Sequence, residues 1–231
     1  MKKFAALFTG LALALSAVPA SAAGGITQSN EAWYVCKHSG NYKVYYYAEV
    51  ENTGSERETV DHVLFEIQNG SDTTIESTER FQLYPDALEA GEKGWLVITQ
   101  TVKDADRADI DHYKLTLTSK EEDDKKVNHL DTKAEFVDED EDDNENMLYL
   151  SLTNAGESTK FDLNAAAAAY QEDGSLLYVG SISARDAGLA AGNTVEFRTK
   201  IGSDLTEEWD DDGRKVASVQ GIGWTVEDID D

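Results

Sequence analysis

Val50-Glu51-Asn52-Thr53-Gly54 and Leu152-Thr153-Asn154-Ala155-Gly156 stand 102 residues apart, and each is an apolar segment running into an Asn-x-Gly turn. Asn and Gly are the residues a tight turn selects, because both tolerate left-handed backbone. Two more turns repeat at nearly the same spacing. Gln68-Asn69-Gly70 answers to Glu172-Asp173-Gly174, 104 residues on, and Leu88-Glu89-Ala90-Gly91 to Leu189-Ala190-Ala191-Gly192, 101 residues on. A near-constant offset across separate landmarks is the mark of an internal duplication, and each copy is close to the size of one domain.

The segments between these turns alternate with period two, as half-buried strands do. Val44, Tyr46, Ala48 and Val50 point one way, and Tyr45, Tyr47 and Glu49 the other. Leu96, Ile98 and Val102 form a second row, and Tyr113, Leu115 and Leu117 a third. Leu148, Leu150 and Leu152, then Val195, Phe197 and Ile201, then Val216, Ile222, Trp224 and Val226 do the same in the second copy. Amphipathic helical spacing is absent. The helix-favouring alanines 165–169 align, through the repeat, with 61–65, so they are predicted to be a buried strand. The acidic connections 103–111 and 204–212 are predicted to hold a single helical turn at most. Gly221-Ile222-Gly223 opens no helix, and its glycines are expected to permit close packing or a bulge. The expected fold class is all-β: two tandem immunoglobulin-like antiparallel β-sandwiches.

The 231 residues include 46 Asp and Glu against 20 Lys and Arg, a net charge of −26, which repels phosphate backbones and excludes nucleic acid as a partner. Ten Tyr, seven Phe and four Trp within 40% apolar residues are enough for a core, unlike an acidic disordered tail. Met1-Lys2-Lys3, the apolar run from Phe4 to about Val18 and Ala20-Ser21-Ala22 have the order of a secretory signal peptide over residues 1–22. That run is short for a bilayer. The expected location is therefore secreted or extracytoplasmic, at the cell surface or in the periplasm, with no membrane span in the mature chain. Cys36 is the lone cysteine, so no internal disulfide forms, and it is expected to be a small buried residue. Like charge is densest in Asp138-Glu139-Asp140-Glu141-Asp142-Asp143-Asn144-Glu145, which divides the mature chain into a first domain at 23–137, an acidic linker at 138–145 and a second domain at 146–231.

Candidate sites are sparse. His38, His62, His112 and His129 occur singly, without metal-site spacing, and no nucleophile elbow or phosphate-binding loop is present, so no enzyme is expected. Hard cations take clustered oxygen ligands, which makes Asp138, Asp140, Asp142 and Asp143 the candidate Ca²⁺ ligands, with a solvated hinge as the alternative. Glu208, Asp210, Asp212 and Gly213 begin like an EF-hand loop, but the twelfth position is Val219 and lacks the closing carboxylate. Tyr45 and Tyr47, outward and near Tyr42, are the candidate partner-binding residues, since exposed aromatics stack on sugars or anchor proteins. Cover by the other domain or by a loop is the alternative for that row.

These turns also resemble the FxLYD-type and related immunoglobulin-like domains of exported bacterial proteins. The pattern is Asn52-Thr53-Gly54, Phe65 with Asn69-Gly70, and Ala90-Gly91, followed by Asn154-Ala155-Gly156, Tyr170 with Asp173-Gly174, and Ala191-Gly192. Phe81-Gln82-Leu83-Tyr84 falls too late after Asn52 to be the namesake segment. The resemblance implies a non-catalytic extracellular module and carries no site residues. The function expected is a secreted binding or structural module whose partner is an extracellular protein or glycan. The alternatives are a calcium-stabilised surface adhesion protein and a carbohydrate-binding or hydrolytic β-sandwich protein.

Overall fold

The computed structural model describes residues 25–138, 145–185 and 187–228. Its first half is built from β1 (Ile26–His38), β2 (Asn41–Asn52), β3 (Glu58–Gln68), β4 (Thr74–Thr78), β5 (Gln82–Tyr84), β6 (Lys93–Val102) and β7 (His112–Glu121). The β1–β2 hairpin closes through Ser39 and Gly40, at φ 48° and 84°, a two-residue turn whose twist suits the strands and sets His38 opposite Asn41. Strand order is β1-β2-β6-β5 in one sheet and β4-β3-β7 in the other, with every pairing antiparallel. Between the sheets, Val44, Tyr46, Val63, Phe65, Ile67, Leu96 and Ile98 are at most 1% exposed. Each such side chain contributes about 1.5–3 kcal/mol on burial. The inward rows read from alternation are the rows that fill this core.

The second half comprises β8 (Lys125–Val137), β9 (Met147–Thr153), β10 (Leu163–Tyr170), β11 (Leu176–Ala184), β12 (Thr194–Lys200), α1 (Ser203–Asp212) and β13 (Ser218–Asp228). Its strands follow the order β11-β10-β13-β8-β9-β12. The triplet β8-β9-β12 repeats β1-β2-β6, and β11-β10-β13 repeats β4-β3-β7, so the duplication seen in the turns is a duplication of topology. One difference is that β8 serves both triplets: Lys125–Leu130 pairs with β13 and Asp131–Val137 with β9. The alanines of β10 are strand, as expected, and Ala165 to Ala169 are fully buried. Gly221 and Gly223 permit close packing: a Cβ on Gly223 would lie 2.2 Å from Leu152 Cδ2 and 2.6 Å from Thr132 Oγ1.

Strand pairing joins β8 to β13 and to β9, so β8 belongs with the second half and the acidic run at 138–145 lies between β8 and β9 in the chain. One connection differs from the sequence reading: 204–212 is longer than the single turn expected there. α1 spans ten residues, buries Leu205 and Trp209 four positions apart on one face, and stops at Gly213 in left-handed backbone, φ 69°. No helix among the described residues is long and apolar enough to cross a membrane.

Candidate functional site

The sheet β1-β2-β6-β5 is apolar on both faces. One face lies in the first core, and the other carries Tyr34, Cys36, Tyr45, Tyr47, Trp95 and Tyr84 into a cluster that continues through the second half. β11 and α1 cover this outer face. Trp209 packs on Tyr34 with centroids 6.3 Å apart, Tyr178 meets Tyr47 edge-on at 5.5 Å, and Trp224 meets Tyr84 at 6.0 Å. Tyr45 and Tyr47 therefore point outward from the first core as read, but they are not an exposed row: they are 8% and 2% exposed beneath the second half. A strand apolar on both faces is a strand covered on both faces, and that signal stood in Val44-Tyr45-Tyr46-Tyr47-Ala48.

Carboxylates and aromatic donors pair across this junction. Tyr45 Oη donates to Asp204 Oδ2 at 2.7 Å, Trp224 Nε1 to Asp86 Oδ2 at 2.9 Å, and Tyr170 Oη to Glu49 Oε1 at 2.8 Å. Tyr170 in turn accepts from Trp95 Nε1 at 3.0 Å, and His129 Nε2 lies 2.8 Å from Glu92 Oε1. Such bonds to charged acceptors contribute about 1.5–3 kcal/mol where water is excluded. Burial, with Asp204 beside it, raises the Tyr45 hydroxyl well above the ordinary phenol range. Burial also pushes Tyr178 up to about 12, and the Cys36 thiol to about 12 with Asp204 and Glu208 adding to the effect, so Cys36 stays protonated rather than nucleophilic.

Beside the covered aromatics the two halves leave a cleft of about 330 Å³. The rings of Tyr45, Tyr47, Tyr84 and Tyr178 and the side chain of Leu205 line it, with Lys43, Gln82, Thr99 and Thr199 also contributing. Gly180 keeps it open, because a Cβ there would meet the Tyr178 ring at 2.7 Å and Thr199 Cγ2 at 3.2 Å. Both sequence-chosen tyrosines belong to this cleft. Tyr84, Tyr178, Lys43 and the threonines were missed, since they come from separate strands that only the docking of the halves brings together.

Of the candidate Ca²⁺ ligands, Asp138 is an exposed turn residue, whereas Asp140, Asp142 and Asp143 lie outside the described residues, as does the 1–22 segment. Among the described residues no three His, Cys, Asp or Glu side chains are grouped to hold a metal ion. His112 lies 3.1 Å from Asp72 and 2.9 Å from Asp111, while His38 is 3.7 Å from Asp204 at the edge of the junction.

No family model matches the chain, and no curated protein matches it. Solved structures similar to it include the C-terminal globular domain of oligosaccharyltransferase from Pyrococcus abyssi, at 8% identity and a TM-score of 0.21. That match covers 89% of this chain and 48% of the other, so the chain spans about half the length of that structure. Another is the N-terminal CBM22-1–CBM22-2 tandem domain of Paenibacillus barcinonensis Xyn10C, at 9% identity and a TM-score of 0.16, covering 89% of this chain and 86% of that one. Likenesses at these scores carry no functional argument.

Proposed function

We propose that the chain is an exported, non-catalytic binding module in which two immunoglobulin-like β-sandwiches of the FxLYD-type pattern dock into one body and hold a small ligand in the cleft between them. The signal-peptide pattern of residues 1–22 and the repeated strand order support the first part. The observation that carries the second is that neither half makes the cleft alone: Tyr45, Tyr47 and Tyr84 come from one half, Tyr178, Thr199 and Leu205 from the other. Sites at domain junctions, with apolar walls and a few polar groups, are where ligands concentrate.

The test is a thermal-shift screen of sugars, dipeptides, nucleobases and choline against the mature protein and a Thr199→Trp variant that fills the cleft. A compound that raises the melting temperature of the first but not the second supports the proposal. A screen in which every shift persists in Thr199→Trp removes the cleft and leaves a spacer role.

A further inference from the structure

The groups lining the cleft also define the chemistry of what it takes, an argument that rests on the cleft being the ligand site. We infer that the ligand is a small, uncharged, polyhydroxylated molecule of one or two sugar rings. Size sets the first limit. About 330 Å³ lies at the lower end of small-molecule sites, too small for a folded partner or a long peptide.

Charge sets the second. Among the described residues Lys43 is the one charged residue lining the cleft, and its ammonium is 4.5 Å from the Tyr45 ring centroid, held by the π face. A cationic ligand would meet Lys43, while Asp204, the nearby carboxylate, is already engaged by Tyr45 Oη. An anionic ligand would approach a protein of net charge −26. Neither sign is favoured, and a neutral molecule avoids both costs.

Hydrogen bonding sets the third. The side chains of Gln82, Thr99 and Thr199 have no hydrogen-bond partner among the described residues, and each of them both donates and accepts. Tyr84 Oη accepts from Ser181 Oγ at 2.7 Å, which leaves its own proton to donate. The hydroxyls of Tyr47 and Tyr178 likewise have no partner among the described residues. An apolar ligand would strand these groups, at about 1–3 kcal/mol for each one desolvated without a partner. Sugar hydroxyls donate and accept in the same way, and the C–H faces of a sugar ring suit the tyrosine walls.

The experiment is calorimetric titration of the mature protein with glucose, galactose, xylose, N-acetylglucosamine, cellobiose and maltose, with glucuronate and choline as charged counterparts. At least one neutral sugar is expected to bind, and Thr99→Val with Thr199→Val is expected to weaken it about tenfold or more without lowering the melting temperature. Thr99 is exposed and Thr199 half-buried, so their replacement leaves the core intact. Silence from every neutral sugar overturns the inference. Tighter binding of glucuronate or choline, lost in Thr199→Trp, also overturns it while sparing the cleft as a site. A sugar that binds the double-valine and Thr199→Trp variants unchanged overturns it too, by placing the sugar elsewhere.

Discussion

Asn52 and Asn154, 102 residues apart, make the same hydrogen bonds in their two halves. Asn52 Nδ2 donates to the carbonyls of Glu56 and Leu88 at 2.7 and 2.9 Å, and Asn154 Nδ2 to those of Ser158 and Leu189, both at 2.8 Å. Each Oδ1 accepts from the glycine two residues on, Gly54 at 2.9 Å and Gly156 at 3.0 Å. Each backbone carbonyl accepts from a second glycine, Gly91 or Gly192, at 2.7 Å. Both side chains are at most 1% exposed. The amide thus ties the end of one strand to the loop that leads into the next sheet, with donor and acceptor ends both used.

Replacing either asparagine should therefore destabilise the protein more than a surface change does. Asn154→Ala strands buried carbonyls and is expected to cost about 2–4 kcal/mol in urea unfolding. Asn154→Asp should cost at least as much at neutral pH, because a carboxylate would face two carbonyl oxygens, and part of that loss should return on acidification. Equal stability of Asn154→Asp and the parent at pH 7 would contradict this geometry.

Across the junction, Trp224 and Asp86 should couple. Trp224→Phe keeps most of the ring burial against Tyr84 but removes the 2.9 Å bond to Asp86 Oδ2. A double-mutant cycle with Asp86→Ala is expected to give about 1–3 kcal/mol of interaction energy, and the two halves should unfold in one transition. Additive losses, or two separated transitions, would show that the junction is not part of the folding unit.

Much of this architecture was legible because period-two alternation and Asn-x-Gly turns act locally. Tyr46 inward and Tyr45 outward, and alanines 165–169 as strand, follow from neighbours along the chain and from the repeat. The duty of β8 was not legible, because pairing with β13 joins Val127 to Val226, nearly a hundred residues away. The single turn expected at 204–212 understates α1, although Leu205 and Trp209 four apart, with Gly213 beyond, carry the pattern of a longer helix. The cleft was only half legible. Tyr45 and Tyr47 are visible as an aromatic row, but what covers them, and which threonines join them, depends on rigid-body docking that no local pattern encodes.

At His129 the hydrogen bond that the imidazole donates to Glu92 raises it above its ordinary value of 6.5, against a smaller opposing effect of burial. A raised folded-state value means that the pair's contribution is complete below about pH 6.5 and fades as pH rises through the raised value. Since His129 is 45% exposed, the effect on stability is small. An NMR titration should place the His129 midpoint above the ordinary imidazole range, and Glu92→Gln should return it toward that range. A midpoint unmoved by Glu92→Gln would remove the pair as the cause.

Alkaline pH should open the junction, and two probes should report it together. Burial raises Tyr45 and Tyr47 well above the ordinary phenol value of 10.0, and Tyr178 to about 12. Groups whose folded values are raised stabilise the protein below their unfolded values, and that stabilisation is lost as pH climbs above about 10. Tyrosinate absorbance should therefore lag behind free tyrosine and then rise steeply as the second half lifts from β2. Cys36 lies on the same covered face, 2% exposed, with its thiol pushed up to about 12. It should resist thiol reagents at pH 8 and become reactive over the same interval in which the absorbance rises. Rapid labelling of native Cys36 at pH 8, or labelling well before the tyrosines ionise, would mean that the outer face of β1 and β2 is not sealed by the second half.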